Sequence, residues 1–430
     1  MNAMDIESRL LNQPLPGELP AGEDWVMPNY GGLSIANLPA TIAALFGADL
    51  PGALPALPRE LWDGWAPGLR RVVLVVLDAL GWRMLQEMWA RGDGQAFSDL
   101  AGAGRLVPLT SVFPSTTDAA LLSLSTGRPP AEHGWLAYTM YLREMGMAAN
   151  AILLCPLWAH QSDMLVDWGL DPETLVTVPT LAGRLASTGV STTAVLSSRF
   201  IGSGFTRMLY RGVSELRGHV HGSDLWVHLR HMLAGTRDDR VLITAYWSGL
   251  DSLGHYYGQD TEMWQAEFRT VSHLLGSEFL ASLPAQDREG TLLLIAADHG
   301  QIRIPPEGIV RASDDPVLSR HLLVPVVGES RAAFLYPRLG RAPAIRDRLA
   351  EAYPDQFAVL DSPAALEAGL MGKPVCDEAY ARAGELLVLP RGHRALEHRE
   401  PPVILRGRHG GLTQEEMLVP LIGARLEAVG

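Results

Sequence analysis

The hydrophobic residues of this chain fall into short uninterrupted runs separated by polar, glycine-containing segments. Three runs, at residues 72–77 (VVLVVL), 241–247 (VLITAYW) and 291–297 (TLLLIAA), have the length and composition of strands that are covered on both faces. Residues 79–90, directly after the first run, place apolar side chains at helical spacing. Buried strands interleaved with helices predict an α/β fold built on a mostly parallel sheet.

Changes in composition along the chain predict its domain organisation. Residues 1–68 carry nine prolines, which predicts an extended arm packed on the main body. Residues 69–302 and 405–430 contain the buried runs and predict the core. Residues 303–404, between these two parts, carry shorter strand and helix patterns, including a strand over 323–327. They predict a small inserted α/β subdomain.

Length and charge narrow the class of protein. The chain has 430 residues, of which 47% are hydrophobic, and a formal net charge of −13. This length and apolar content suffice for one large α/β domain with an insertion. The acidic balance argues against a nucleic-acid polymer as partner, because such a partner requires a basic face.

Sequence features that direct proteins to membranes or oxidising compartments are missing. No apolar run approaches the ~18 residues that span a bilayer, and residues 1–20 lack the basic and apolar regions of a secretory signal. Two cysteines, Cys155 and Cys376, are too few for a disulfide framework or a thiolate zinc site. We therefore expect a cytoplasmic protein without a membrane partner. The oligomeric state is not indicated by the sequence.

Carboxylates follow each of the three buried runs. Asp78 and Asp298 come directly after the runs at 72–77 and 291–297, and Asp251 lies four residues after the run at 241–247. The carboxyl ends of parallel strands meet at the edge where open α/β sheets bind ligands, so these are candidate functional residues. For Asp78, capping of the next helix is an equally good explanation from position alone.

Histidines accompany two of these carboxylates. His299 directly follows Asp298, and His255 lies four residues after Asp251, a spacing that puts both side chains on one face of a helical turn. An ordinary i, i+4 pair is the alternative for the latter. His409 stands among glycines before an apolar strand, and a lone histidine of this kind is usually structural.

A run of hydroxyl side chains precedes a predicted helix. Pro114 ends a short apolar run, Ser115, Thr116 and Thr117 follow, and residues 118–125 are compatible with a helix. Free backbone N–H groups and the dipole favour negative charge at a helix N-terminus. A hydroxyl there is an ordinary N-cap or, near a metal, a nucleophile. The local sequence does not decide between these roles.

The scattered acidic and imidazole groups suit one kind of metal centre. Three carboxylates and three imidazoles can hold two Zn²⁺ ions, each with an open position, and Mn²⁺ is an alternative. Two such ions stabilise the attacking and the leaving oxygen of an in-line displacement. The six candidate ligands are Asp78, Asp251, His255, Asp298, His299 and His409.

Five motifs resemble those of a known family. In chain order they are LDALG at 77–81, FPSTTDAALLSLSTGRPPAEHG at 113–134, DSLGHYYG at 251–258, ADHG at 297–300 and GRHGGLTQEEMLVPL at 407–421. Together they resemble the nucleotide pyrophosphatase/phosphodiesterase branch of the alkaline phosphatase superfamily. The resemblance implies an alkaline-phosphatase-like three-layer α/β/α sandwich with a mostly parallel central sheet and a small inserted α/β subdomain.

The resemblance also implies roles for individual residues. One zinc would be bound by Asp251, His255 and His409, and the other by Asp78, Asp298 and His299. The nucleophile would be Thr117, ten residues before Gly127, with its oxygen facing the second zinc, and Thr116 is the alternative. In the family, Phe-Pro follows the nucleophile and leads to an asparagine that holds a phosphoryl oxygen. Here Phe113 and Pro114 precede it and Asp118 follows, so the partner of that oxygen is undefined.

These roles imply a hydrolase for small phosphoester molecules. The expected enzyme cleaves phosphodiester or pyrophosphate bonds of nucleotide-like substrates through a covalent phospho-threonine intermediate. The 138–175 segment, rich in Trp and Tyr, is expected to help line the pocket.

Other activities share this fold and this kind of site. A phosphonoacetate-type hydrolase and a phosphomonoesterase are the alternatives, and a manganese-dependent mutase ranks below them. A phosphomonoester carries an extra negative charge, so its site needs an additional cationic side chain. Arg143, Arg199 and Arg207 are candidates for it. A non-catalytic binding protein is disfavoured because all six ligands and the threonine are present.

Overall fold

A computed structural model of the protein describes residues 2–14, 19, 24–399 and 404–429. Its strands are β1 (Arg71–Leu77), β2 (Arg105–Thr110), β3 (Thr139–Leu142), β4 (Met147–Asn150), β5 (Cys155–Pro156), β6 (Ser191–Ser197), β7 (Glu215–His219), β8 (Val241–Trp247), β9 (Thr291–Ala296), β10 (Ile302–Arg303), β11 (Ile309–Arg311), β12 (Val327–Glu329), β13 (Ala332–Leu335), β14 (Phe357–Asp361), β15 (Leu386–Pro390), β16 (Ala395–Glu397), β17 (Gly407–Arg408) and β18 (Leu418–Arg425).

The helices of the described residues are α1 (Ala3–Leu11), α2 (Leu38–Leu45), α3 (Trp82–Ala90), α4 (Gln95–Ala103), α5 (Thr117–Thr126), α6 (Pro130–His133), α7 (Met164–Asp167), α8 (Leu181–Ala186), α9 (Gly204–Leu209), α10 (Gly222–Gly235), α11 (Gly249–Tyr257), α12 (Glu262–Leu274), α13 (Ala285–Arg288), α14 (Pro316–Ser319), α15 (Ala342–Ala352), α16 (Ser362–Glu367), α17 (Asp377–Ala383) and α18 (Gln414–Met417). A short π-helix, Leu275–Leu280, continues α12. None of the helices in the described residues is both long and apolar enough to cross a membrane.

The three apolar runs lie side by side in the middle of the central sheet. This sheet has the strand order β2-β18-β9-β1-β8-β6-β7. The neighbours β9, β1, β8, β6 and β7 are parallel, whereas β18 runs antiparallel to both β9 and β2. Every residue of β1 is buried, as expected for a strand covered on both faces. The carboxyl ends of β1, β8 and β9 therefore open at one edge.

Helices cover the central sheet in two groups. Helix α5 packs with α2, α8 and α9, and its residues Leu121 and Leu124 line one small cavity together with Leu74 and Val76 of β1. A second group, α4, α10, α12 and the π-helix, packs together without α5. Within this group, α10 contacts β6, β7 and β8, and α4 contacts β2 and β18. The three-layer α/β/α arrangement with a mostly parallel sheet, predicted from the sequence, is confirmed.

A second sheet is antiparallel throughout and stands beside the first. Its order is β14-β15-β13-β12-β3-β4-β5. Four of these strands lie within residues 303–404, but β3, β4 and β5 come from residues 139–156, inside the segment assigned to the core. The division into a core and an inserted subdomain remains a prediction, and the sheet itself joins both segments. The strand expected over 323–327 is wrong for residues 323–326, since β12 spans Val327–Glu329 and Pro325 has no backbone N–H to give to a sheet.

Helices α1 and α2 lie within residues 1–68, and they pack against β2, α5 and α8. Trp25 forms a β-bridge with Thr413, and the Val26 N–H donates to the Leu412 carbonyl at 2.7 Å. Through these bonds the arm supports the loop that carries His409.

The helix after β1 starts later than its apolar spacing predicts. It begins at Trp82, because Ala79 has a left-handed φ of 61° and Gly81 is the N-cap. The Ala79 N–H donates to the Asp298 carboxylate at 3.1 Å. The turn after Asp78 is thus shaped by a contact with the neighbouring strand end rather than by helix propensity.

Candidate active site

The structure brings all six candidate ligands to the carboxyl edge of the central sheet. Two groups of three residues have ligand atoms that all lie within 4.8 Å of one another. The first group is Asp251, His255 and His409, and the second is Asp78, Asp251 and His299. Asp298 joins the second group through its Oδ2 atom, 3.8 Å from His299 Nε2. Asp251 therefore belongs to both groups.

The first group joins helix α11 to the loop before β18. Asp251 and His255 lie one turn apart on α11, with 3.2 Å between Asp251 Oδ1 and His255 Nε2. His409 Nε2 lies 3.2 Å from His255 Nε2 and 3.9 Å from Asp251 Oδ1. Two nitrogens bound to one tetrahedral zinc at ~2.0–2.1 Å lie about 3.3 Å apart, so the observed spacing suits such an ion.

The second group is formed by the ends of two adjacent parallel strands. Asp78 follows β1, Asp298 and His299 follow β9, and all three side chains are buried. His299 Nε2 lies 3.4 Å from Asp78 Oδ1. The Asp78 Oδ1 and Asp298 Oδ2 atoms are buried without a hydrogen-bond partner. An uncompensated buried carboxylate oxygen is costly, and a cation between these atoms would compensate both.

Hydrogen bonds fix the orientation of all three imidazoles. The Nδ1 atoms of His255, His299 and His409 lie 2.9, 3.0 and 3.1 Å from the carbonyls of Gly407, Gly300 and Ser115. An Nδ1 that donates to a carbonyl leaves the lone pair on Nε2. In each case Nε2 is the atom that faces the carboxylates, which is the arrangement of a metal ligand.

The pKa values of Asp78 and His409 are shifted because each is buried beside other groups of its own kind. Burial, and then the Asp298 and Asp251 carboxylates, raise the pKa of Asp78 well above its usual value. Burial, and then His299 and His255, lower the pKa of His409 well below its usual value. Carboxylates crowded beside imidazole nitrogens fit the binding of divalent cations.

Thr117 faces the metal-ligand candidates and Thr116 does not. Thr117 is the first residue of α5, and its Oγ1 lies 3.0 Å from His299 Nε2. The Thr116 hydroxyl instead donates to Glu329 Oε1 at 2.7 Å. The two neighbouring hydroxyls, equivalent in the local sequence, therefore have different surroundings.

Four of the six candidate ligands, Asp78, Asp251, His255 and His409, line a large cavity together with Thr117. Its volume is about 710 Å³. The predicted lining segment contributes six residues to the wall: Tyr138, Thr139, Ile152, Leu157, Trp158 and His160. Further apolar wall comes from Phe200 and from the 325–327 segment of the second sheet. The cavity can hold an ester group much larger than a phosphoryl group.

The three arginines considered for a monoester site do not line this cavity. Arg143 pairs with Glu378, and neither Arg199 nor Arg207 reaches the cavity wall. The lining arginines among the described residues are Arg399 and Arg408. Arg408 is paired with Glu397 at 2.6 Å, so its charge is compensated.

Asp118, at the position where the resembling family differs, turns away from the cavity. Its carboxylate is buried, accepts from the Ala119 N–H at 2.9 Å, and leaves Oδ2 without a partner. Burial raises its pKa to about 6. Asp118 does not line the cavity, and the wall carboxylate that bonds Thr116 is Glu329.

Two further residues hold the carboxylates in place and are not indicated by the sequence. The Tyr246 hydroxyl donates to Asp78 Oδ2, and the Gln301 amide donates to the Asp251 carboxylate and, at 3.2 Å, to the Asp251 carbonyl. Partners of this kind tune metal affinity in many proteins. The closeness of Gln301 to His299 in sequence is a weak signal, and Tyr246 lies within an apolar run that predicts only a strand.

Hydrogen bonds of Ser115 hold the loop that carries His409 against the segment between β2 and α5. Its hydroxyl donates to the Gly411 carbonyl at 2.8 Å and accepts from the Gly410 N–H at 3.2 Å. Its own carbonyl bonds His409 Nδ1. Ser115 therefore sets the position of His409 relative to Thr117.

Ser115→Ala is expected to lower the free energy of unfolding by about 1–3 kcal/mol, because a buried backbone N–H and a carbonyl lose their partner. Urea denaturation followed by circular dichroism measures this change. Ser187→Ala is the control, since Ser187 is exposed and bonds only locally to Arg184. We expect that control to stay within about 0.5 kcal/mol of the parent. Equal stability of the two variants would show that Ser115 does not fasten the loop.

Comparison with known proteins gives one family. The sequence model of the family described as type I phosphodiesterase / nucleotide pyrophosphatase matches residues 72–412. This span contains all six candidate ligands and Thr117. None of the curated proteins matches the sequence.

Solved structures with the same fold include two kinds of enzyme. Murine ectonucleotide pyrophosphatase / phosphodiesterase 5 aligns with a TM-score of 0.64 at 18% identity, over 82% of this chain and 87% of that one. An inactive threonine-to-alanine variant of that murine protein was solved with AMP. Phosphonoacetate hydrolase from Sinorhizobium meliloti 1021, solved with phosphonoformate, has a TM-score of 0.62 at 18% identity, over 84% of this chain and 91% of that one.

Proposed function

Because the chain belongs to the type I phosphodiesterase / nucleotide pyrophosphatase family, we propose that it hydrolyses phosphodiester or pyrophosphate bonds of small molecules with two bound zinc ions and Thr117 as nucleophile. Family membership agrees with the resemblance of the five motifs. It supports a phosphodiesterase- or pyrophosphatase-type phosphohydrolase. The observation that carries the finer proposal is the Thr117 hydroxyl, 3.0 Å from His299 Nε2, beside two groups of ligand atoms.

The proposed ligand sets divide the six residues between two ions. Asp251, His255 and His409 would hold one ion, and Asp78, Asp298 and His299 the other, with Thr117 beside it. The unpartnered oxygens of Asp78 and Asp298 and the three inward-facing Nε2 atoms support this division. Bound zinc lowers the pKa of an adjacent hydroxyl and stabilises charge on phosphoryl oxygens. Mn²⁺ accepts the same nitrogen and oxygen ligands.

The reaction of this chain's residues is a double displacement. The Thr117 hydroxyl loses its proton to solvent as Oγ1 attacks phosphorus, a bond forms between them, and the bond from phosphorus to the leaving oxygen breaks with its electron pair. The leaving group departs with a proton from solvent. Water then attacks the phospho-threonine, and the Thr117 hydroxyl is regenerated. The N-terminus of α5, a helix of ten residues that begins at Thr117, places backbone N–H groups and a positive dipole at this point.

The cavity supports a substrate with a sizeable second ester group. Tyr138, Trp158 and Phe200 on its wall offer faces for a nucleobase or an aryl group. The murine relative solved with AMP has the same fold, which supports nucleotide-like substrates. We therefore place small nucleotide diesters and pyrophosphates ahead of nucleic-acid polymers.

Removal of metal provides the direct test of the proposed cofactor. Dialysis against a chelator is expected to lower turnover of an aryl phosphodiester by at least about 100-fold, and added Zn²⁺ is expected to restore it. Metal content by mass spectrometry, compared with the activity recovered per equivalent of zinc, measures the stoichiometry. Full activity of the metal-free protein would refute the proposal, and recovery complete at one equivalent would refute the second ion.

A phosphonoacetate-type hydrolase is the second candidate. The structure of phosphonoacetate hydrolase aligns nearly as well as that of the murine phosphodiesterase. Rates on an aryl diester, an aryl monoester, a dinucleoside polyphosphate and phosphonoacetate, each with zinc or manganese, separate the candidates. We expect the diester or the polyphosphate to be cleaved fastest, and a faster release of phosphate from phosphonoacetate would favour the second candidate.

A further inference from the structure

A carboxylate from the second sheet stands beside the two threonines. Glu329 is the last residue of β12, it lines the cavity, and its Oε1 accepts from the Thr116 hydroxyl and from the Tyr138 N–H, each at 2.7 Å. Thr116 is adjacent in sequence to Thr117. The Glu329 carboxyl group is thus held, by two donors, one residue away from the proposed nucleophile.

The other oxygen of Glu329 is left open to the cavity. Both hydrogen bonds go to Oε1, and Oε2 is not among the buried unpartnered atoms. No cationic side chain in the described part of the chain forms an ion pair with Glu329. When Glu329 is ionised, no side chain of the described residues therefore neutralises its charge at this point of the wall.

The position of Glu329 is tightly constrained by the loop of His409. Gly410 packs against the Glu329 side chain so closely that a Cβ atom on residue 410 would overlap it. Gly410 has a φ of 113°, which favours glycine there as well. The carboxylate is consequently fixed beside the metal-ligand candidates, and its titration responds to Asp251.

We propose that Glu329 selects substrates by charge, favouring phosphodiesters with one negative charge over phosphomonoesters and phosphonoacetate-type phosphonates with two or more. This inference rests on the proposed function and names the substrate class for the same site. A like charge fixed beside the reacting group disfavours the more highly charged substrate, which is how a site gains specificity through repulsion. A monoester site would place an arginine here, and the three candidate arginines lie elsewhere.

Conditions for the test follow from the surroundings of Glu329. Burial, and then the Asp118 carboxylate, raise the pKa of Glu329 to about 8. Assays at about pH 9 therefore keep the group ionised, and nearby divalent cations favour the ionised form further. At this pH an aryl monoester is a dianion and an aryl diester is a monoanion.

The experiment compares kcat/KM for an aryl monoester and an aryl diester in the zinc-loaded protein. Glu329→Gln keeps an oxygen to accept from Thr116 and Tyr138 but removes the charge. We expect its kcat/KM for the monoester to rise about tenfold or more, with the value for the diester within about threefold of the parent. Glu329→Ala is expected to shift the ratio in the same direction, and it serves if the glutamine variant does not fold.

Asp361→Asn is the matched control. Asp361 lies on the second sheet, pairs with Arg346 and lines no part of the cavity, so we expect an unchanged ratio. An unchanged ratio in both Glu329 variants, or an equal shift in the control, would overturn selection by charge. If the parent protein cleaves no diester at all, the proposed function itself fails, which is a separate outcome.

Discussion

Thr117→Ala is expected to reduce the turnover of an aryl phosphodiester by a factor on the order of 10⁴ or more, because the attacking oxygen is lost. The six metal-ligand candidates are untouched by this change, so zinc content is expected to stay at the parental value. Steady-state kinetics and metal analysis of the same preparation measure both quantities. Acid quenching of the parent during turnover is expected to trap, on the peptide that contains Thr117, a phosphoryl group that still carries its second ester group.

Thr116→Val is the matched control for this variant. It removes the neighbouring hydroxyl, which donates to Glu329 and does not face the metal-ligand candidates. We expect a loss of at most about tenfold from the disturbed hydrogen bond. A near-parental rate in Thr117→Ala, together with an inactive Thr116→Val, would assign the nucleophile to Thr116. Near-parental rates in both would exclude a threonine intermediate.

Asp251→Asn is expected to have the second-largest effect, because Asp251 belongs to both groups of ligand atoms. The isosteric amide keeps an acceptor for Gln301 but loses the negative charge that favours a cation. We expect loss of at least one bound ion per chain and a fall in turnover of more than about 100-fold, beyond the range typical of residues that only orient a ligand. Isothermal titration with zinc and steady-state kinetics check the two effects.

Two further variants serve as comparisons for Asp251→Asn, one with a smaller expected loss and one with no expected change. Gln301→Ala removes the amide that orients the Asp251 carboxylate, so about a 10–100-fold loss is expected. Asp260→Asn removes an exposed carboxylate that pairs with Arg303, and no change in zinc binding is expected. If Asp251→Asn bound two ions with parental affinity, the proposed ligand sets would be wrong.

The order and type of the main elements could be read from the sequence. The runs at 72–77, 241–247 and 291–297 are the adjacent parallel strands β1, β8 and β9. Prediction succeeded here because a strand covered on both faces must be apolar at every position, which leaves an unambiguous pattern. The pattern was less informative at residues 139–156, where short, half-buried strands join the second sheet.

The choice between Thr116 and Thr117 shows where local sequence stops being informative. Both are hydroxyl residues at the start of one helix. Thr117 is favoured because it lies ten residues before Gly127, and that criterion comes from the resemblance to a family. Their surroundings differ because His299 comes from β9 and Glu329 from β12, which are far apart in the chain. Asp118 marks a departure from the family in sequence, but only its burial shows that it does not line the cavity.

The sequence by itself determined the strands at the centre of the sheet and the carboxylates at their ends. It also indicated the family through five short motifs. Each of these signals depends on residues that are close together in the chain. Tertiary structure alone decided which side chains support them: Ser115 under the His409 loop, Tyr246 on Asp78, Gln301 on Asp251 and Glu329 beside Thr116. These contacts join positions separated by 50 to 296 residues. Residue type gives hydrogen-bonding capacity, but distance and direction exist only after the two sheets and their loops have packed.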